Sequence, residues 1–163
     1  MSLLFLDQQP AIEKIDCLSV DIGRGRLLVP MPAVAEIILN EGVDTSDKLP
    51  VWVSGWIAWR YLSIPIIDFR ALQDGSKASD FGSRTRVLVM NSFAEGHSHH
   101  YYAIMTRGFP YTLSVEADCE MTTQASNDNG KCIKIDLQLK GKKFLLPNFT
   151  EIETYLKQIP PYY

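Results

Sequence analysis

The sequence predicts a mostly β protein of the barrel or sandwich class. Short runs of alternating apolar and polar residues recur along it, clearest in Leu18-Ser19-Val20-Asp21-Ile22 and in Ile133 to Leu139. In a strand, such alternation sends every apolar side chain to one face. Turn residues punctuate these runs at close spacing, and helical periodicity is scarce. Seven Tyr, seven Phe and three Trp among many Val and Ile lean the same way.

Taken in order, Leu18 to Ile22 is a strand, Gly23-Arg24-Gly25 a permissive turn, and Arg26 to Val29 a returning strand. Pro30 and Pro32 end it, because each removes a ladder donor. Val34, Ile37 and Ile38 stand at helical spacing, which predicts a short helical turn over Ala33 to Ile38. Asn40 to Lys48 is a polar loop. An apolar block from Leu49 to Phe69 carries all three tryptophans, and Gln73 to Ser83, rich in Gly, Ser and Asp, reads as the internal linker. Val87 to Met90 is predicted as a strand buried on both faces, followed by strands at Tyr101 to Thr106 and Tyr111 to Val115. Gln124 to Gly130 is a second polar loop. Ile133 to Leu139 and Phe144 to Leu146 form a hairpin about Lys140-Gly141-Lys142. Asn148 is placed to cap a final helix, with Glu151 as its partner and Phe149, Ile152 and Leu156 as its buried stripe. The organisation expected is an N-terminal segment, 1–16, and a single domain, 17–163.

At 163 residues with 46% hydrophobic content, the chain has enough apolar material for its own core. A net charge of −3 with scattered basic residues argues against a nucleic-acid partner, whose phosphates need a concentrated basic surface. Met1 to Leu6 lacks a basic flank and a cleavage site, and no run approaches a membrane span. With three cysteines, an odd number, the expectation is reduced thiols in a cytoplasmic protein with no membrane insertion.

Catalytic constellations are weak. His97, His99 and His100 could place two ligands on one metal, but no fourth ligand stands nearby, so the cluster reads as a polar loop and no cofactor is expected. Asp16-Cys17 could pair acid and thiol, but Cys17 opens an apolar strand and reads as a small core residue. Asp118, Glu120 and Asp136 form no recognisable carboxylate pair. The informative stretch is Trp52 to Phe69, with three tryptophans within eight residues. That is more aromatic area than a small barrel easily hides, and aromatics and Arg are the types that anchor protein interfaces.

Gly55, Arg60, Pro65, Asp68 and Phe69 fall in register with the central signature of CheW-like domains, which the stretch from Gly55 to Phe69 resembles. In that pattern a glycine leads through an apolar run to Arg-Gly, then to a strand ending Pro, two apolar residues, Asp and Leu. Upstream, Pro32-Ala33-Val34-Ala35-Glu36-Ile37 is similar to the family's segment ending Val-x-Glu-Ile. The likeness spans about Cys17 to Leu156 and is specific between Pro32 and Phe69.

The resemblance implies two small intertwined five-stranded β-barrels over a shared core, with a short C-terminal helix. It implies a non-enzymatic chemotaxis adaptor that couples methyl-accepting chemoreceptor tips to a CheA-type histidine kinase. The family's receptor-contacting positions match Val34, Glu36, Gly55 and Arg60. Trp56, Trp59 and Tyr61 join them as candidate partner-binding residues on their aromatic character and adjacency. Tyr61 stands where the pattern has glycine, so the turn is expected to have changed its backbone or its contact, because positive φ is costly without glycine. Ala58, the bulky Trp56 and Trp59, and Leu146-Pro147-Asn148 depart too, which marks a divergent adaptor, with a type IV pilus (twitching) chemosensory system as the expected setting. The alternative is a small ligand- or metal-binding β-barrel.

Overall fold

A strand is present at each place where the alternation predicts one, with boundaries that differ by up to four residues. The computed structural model describes residues 14–23, 25–79, 85–96, 98–116, 121–125 and 132–162. The first strands are β1 (Lys14–Asp21), β2 (Arg26–Pro30), β3 (Val34–Leu39), β4 (Val53–Trp59) and β5 (Leu62–Ile67). Helix α1 (Phe69–Asp74) precedes β6 (Arg86–Asn91), β7 (Tyr101–Met105), β8 (Tyr111–Glu116) and β9 (Met121–Ala125). Strands β10 (Ile133–Leu139) and β11 (Lys142–Pro147) lead into helix α2 (Phe149–Leu156).

The strands form two sheets, six-stranded in the order β8-β1-β2-β11-β10-β9 and five-stranded in the order β3-β6-β7-β5-β4. The first takes strands from both ends of the chain and the second from its middle, so the two halves are intertwined. The six-stranded sheet has one strand more than expected, and both strand orders are open among the described residues. An isolated bridge between Asp44 and Trp56 does tie the segment leaving edge strand β3 to the opposite edge strand β4.

Three cores explain the strand patterns. Ile57, Trp59, Ile64, Ile66, Val87, Val89, Ala103 and Met105 pack together, with Ala35 and Ile38 against them, so all five strands of one sheet surround one cluster. Cys17, Leu28, Leu137, Leu139 and Phe144 pack together in the other sheet, with Leu113 and Val115 against them. The largest cluster joins both sheets and α2 through Leu18, Val20, Leu27, Val29, Leu88, Met90, Tyr102, Ile104, Ile152 and Leu156. On β6, Val87 and Val89 therefore face one core while Leu88 and Met90 face another, and all four are fully buried. Fully burying each such side chain stabilises by about 1.5–3 kcal/mol.

Some expectations change. The predicted helical turn over Ala33 to Ile38 is a 3-10 turn at Met31–Ala33 followed by strand β3. Val34, Ile37 and Ile38 are β-branched, and β3 gains a ladder with β6 that no short helix could match. Helix α1 was not foreseen. Asp68 Oδ1 accepts the Ala71 N–H at 3.2 Å and Oδ2 accepts the Ser79 N–H at 2.8 Å, so this carboxylate caps the helix and ties down the segment beyond it. The helix holds Gln73 and Asp74, so the linker begins at Gly75. Lys14, Ile15 and Asp16, assigned to the N-terminal segment, pair with β8 as part of β1. Gln124 and Ala125 of the second polar loop end β9. Met1 to Leu6, Arg24, 80–83 of the linker, His97, Asp118, Cys119, Glu120 and the rest of that loop lie outside the described residues. Among the described residues, no helix is long and apolar enough to cross a membrane.

Candidate interaction site

The β4–β5 hairpin turns in two residues, since Trp59 pairs with Leu62 across Arg60 and Tyr61. Both turn residues take positive φ, 45° at Arg60 and 64° at Tyr61. That is the backbone of a primed two-residue turn, whose twist matches a right-twisted hairpin. The β10–β11 hairpin makes the same kind of turn with Lys140 at 48° and Gly141 at 80°. The expected change of backbone at Tyr61 is thus absent: the hairpin keeps the turn and the tyrosine accepts the left-handed conformation. For a side chain larger than glycine this costs about 1–2 kcal/mol. The Tyr61 side chain offsets none of it, being fully exposed at 109%.

Just behind the turn, three side chains knit the two edge strands of the five-stranded sheet together. The Trp59 indole N–H donates to Glu36 Oε2 at 2.7 Å, and Arg60 Nη2 lies 3.5 Å from the same oxygen. The Arg60 guanidinium sits over the Trp59 ring, 4.8 Å from its centroid. Tyr101 meets that indole edge-on, with 4.8 Å between ring centroids. A buried indole N–H needs an acceptor, so Glu36 supports the fold through Trp59 as much as it pairs with Arg60. The Glu36–Arg60 ion pair is largely solvent-facing and contributes at most about 1 kcal/mol.

The seven candidate residues divide by exposure. Arg60 and Tyr61 are exposed, and Glu36 and Val34 half-buried, Val34 against the shared core. Gly55, Trp56 and Trp59 are buried, so the two tryptophans themselves present little surface to a partner. Gly55 is a packing glycine: at φ 146° a Cβ there would meet Asp44 O and Val43 Cγ1 at 2.5 Å each. Trp56 is covered by the C-terminal segment, with Tyr162 edge-on at 5.3 Å and the His99 ring at 5.8 Å. The Tyr162 hydroxyl reaches Asp44 Oδ2 at 3.2 Å, and His99 Nε2 donates to the Ile159 carbonyl at 2.9 Å. His99 is thus buried as an anchor for the chain end, while its neighbour His100 is exposed.

Three exposed apolar residues near the site escaped the sequence reading, Leu62 at 46%, Ile37 at 41% and Leu39 at 42%. A strand reading of β3 would have flagged Ile37 and Leu39 as sharing one face. Cys17 is buried, and burial followed by the neighbouring Asp16 charge pushes its thiol pKa up, the reverse of nucleophile activation.

Comparison with known proteins places these features in context. A family model described as CheW-like domain matches residues 16–126. No curated protein matches the chain significantly. Among solved structures, the fold is similar to the scaffolding protein TtCheW from Thermoanaerobacter tengcongensis, with a TM-score of 0.66 at 10% identity over 86% of each chain.

Proposed function

This chain belongs to the CheW-like domain family, and from that membership we propose that it is a non-enzymatic adaptor coupling chemoreceptor cytoplasmic tips to a CheA-type histidine kinase. The observation that carries the reading is the Glu36–Trp59–Arg60 cluster, which holds the β4–β5 turn against strand β3 and presents Arg60 and Tyr61 to solvent. The residues that the resemblance assigns to receptor contact, Val34, Glu36, Gly55 and Arg60, fall on β3, β4 and this turn. Gly55, Trp56 and Trp59 serve the contact indirectly, by shaping the strands under it. A protein meeting receptor tips and kinase in this way works in the cytoplasm. The departures at Tyr61 and Ala58 fit a divergent chemosensory system, and pilus genes beside this gene would assign it to twitching motility.

The test is reconstitution. The protein is immobilised and offered a receptor cytoplasmic fragment and a CheA-type kinase from the same genome, with phosphorylation measured in the ternary mixture. Retention of both and stimulated kinase activity are expected. If neither is retained, the adaptor reading is lost.

A further inference from the structure

We propose that Tyr61 is the anchor of the receptor contact, and that the surface it meets carries a recessed apolar pocket with a hydrogen-bond acceptor at its mouth. The inference rests on the adaptor reading and adds the chemistry of the counter-surface.

It begins from an imbalance. The two-residue turn requires positive φ at both positions, and glycine satisfies that without steric cost, as Gly141 does in the β10–β11 hairpin. Tyr61 takes φ 64° with a large aromatic side chain that is fully exposed, and among the described residues it makes no hydrogen bond or ring contact. Backbone strain that a residue's own side chain does nothing to offset clusters at sites whose interaction lies outside the chain. The side chain is suited to that use: a rigid ring with few rotatable bonds, large apolar area and one polar tip, the type that dominates interface energetics.

The neighbours define what can receive it. Leu62, 46% exposed, extends the apolar surface beside the ring. Arg60 is held over Trp59 and touches Glu36 through one terminal nitrogen, so its remaining N–H donors are available to a carboxylate or carbonyl. Apolar ring, phenol donor and guanidinium together fit a protein pocket that is greasy within and rich in acceptors at the rim. A partner that met glycine at this position would need no such pocket, so Tyr61 also selects among receptors.

Calorimetry of wild type, Tyr61→Gly and Tyr61→Asn against the receptor cytoplasmic fragment, with the CheA-type kinase fragment as control, tests this directly. Both substitutions suit the turn, so melting temperature should rise by about 2–4 °C for Gly, while receptor affinity falls at least about 30-fold and kinase affinity stays within about twofold. Unchanged receptor affinity in a stabilised Tyr61→Gly overturns the anchor and leaves the adaptor intact. Equal loss for receptor and kinase overturns it as well. Wild type that binds neither fragment removes the adaptor reading and the anchor with it. Vesicles of anionic lipid that bind wild type but not Tyr61→Gly would overturn the protein pocket in favour of a membrane contact.

Discussion

At the scale of single residues, Glu36 has two duties that substitution can separate. Glu36→Gln keeps an acceptor for the Trp59 indole and removes the charge that faces Arg60, so it should cost less than about 1 kcal/mol in urea denaturation. Glu36→Leu leaves the buried N–H without its acceptor and should cost about 1–3 kcal/mol. Equal costs would mean that the indole bond contributes nothing. Cys17 offers a second residue-scale test. Its folded pKa lies above the ordinary thiol value of 9.0. Its stabilising preference for the protonated form is therefore complete below that value and is lost as pH rises through the raised one. At neutral pH the Cys17 peptide should resist iodoacetamide until denaturant is added, as read by mass spectrometry; rapid native labelling would contradict its burial.

Among the elements, the C-terminal segment does more than follow α2. Ile159 is 2% exposed in the shared core, and its carbonyl accepts from His99, while Tyr162 lies on Trp56 and bonds to Asp44. The segment thereby covers the point where Asp44 and Trp56 bridge the edges of the five-stranded sheet. Truncation after Gln158 should red-shift tryptophan emission and lower the melting temperature, with the strand content seen by circular dichroism unchanged. An unshifted spectrum would show that Trp56 is covered by other groups. Helix α1 gives a parallel case. Asp68→Ala removes the acceptor for two backbone N–H groups at a 1% exposed position, and a loss of about 2 kcal/mol or more in urea denaturation is expected, against about 1 kcal/mol for the single bond lost in Asn148→Ala.

For the whole molecule, the shared core makes the two sheets one unit. Leu88 and Ile104 from one sheet and Val20 and Leu27 from the other meet in the same cluster, so neither sheet can open without exposing it. Leu88→Ala should cost about 2–5 kcal/mol and lower both sheets' unfolding together in one cooperative transition. Two separated transitions, followed by tryptophan fluorescence for the five-stranded sheet and far-ultraviolet signal for the whole, would show the sheets to be independent.

Much of the fold was readable from local pattern, because strand alternation is set by which side of a sheet each residue faces. Val87 to Met90 and Ile133 to Leu139 needed only their own residue order, as did the Asn148 cap, whose side chain accepts the Glu151 N–H at 3.1 Å. The signature from Gly55 to Phe69 likewise carried the family without coordinates. Tertiary structure decided what local pattern leaves open. Val34 to Ile38 fits a helical turn by spacing and became an edge strand because β6 offered it a ladder. The tryptophans could equally have been surface or core, since their burial depends on Tyr101, Tyr162 and His99, which lie far away in sequence. Tyr61 looked like a reason for the turn to change, yet the pairing of Trp59 with Leu62 holds it in the left-handed region, because a ladder of strand pairs outweighs the strain of one residue.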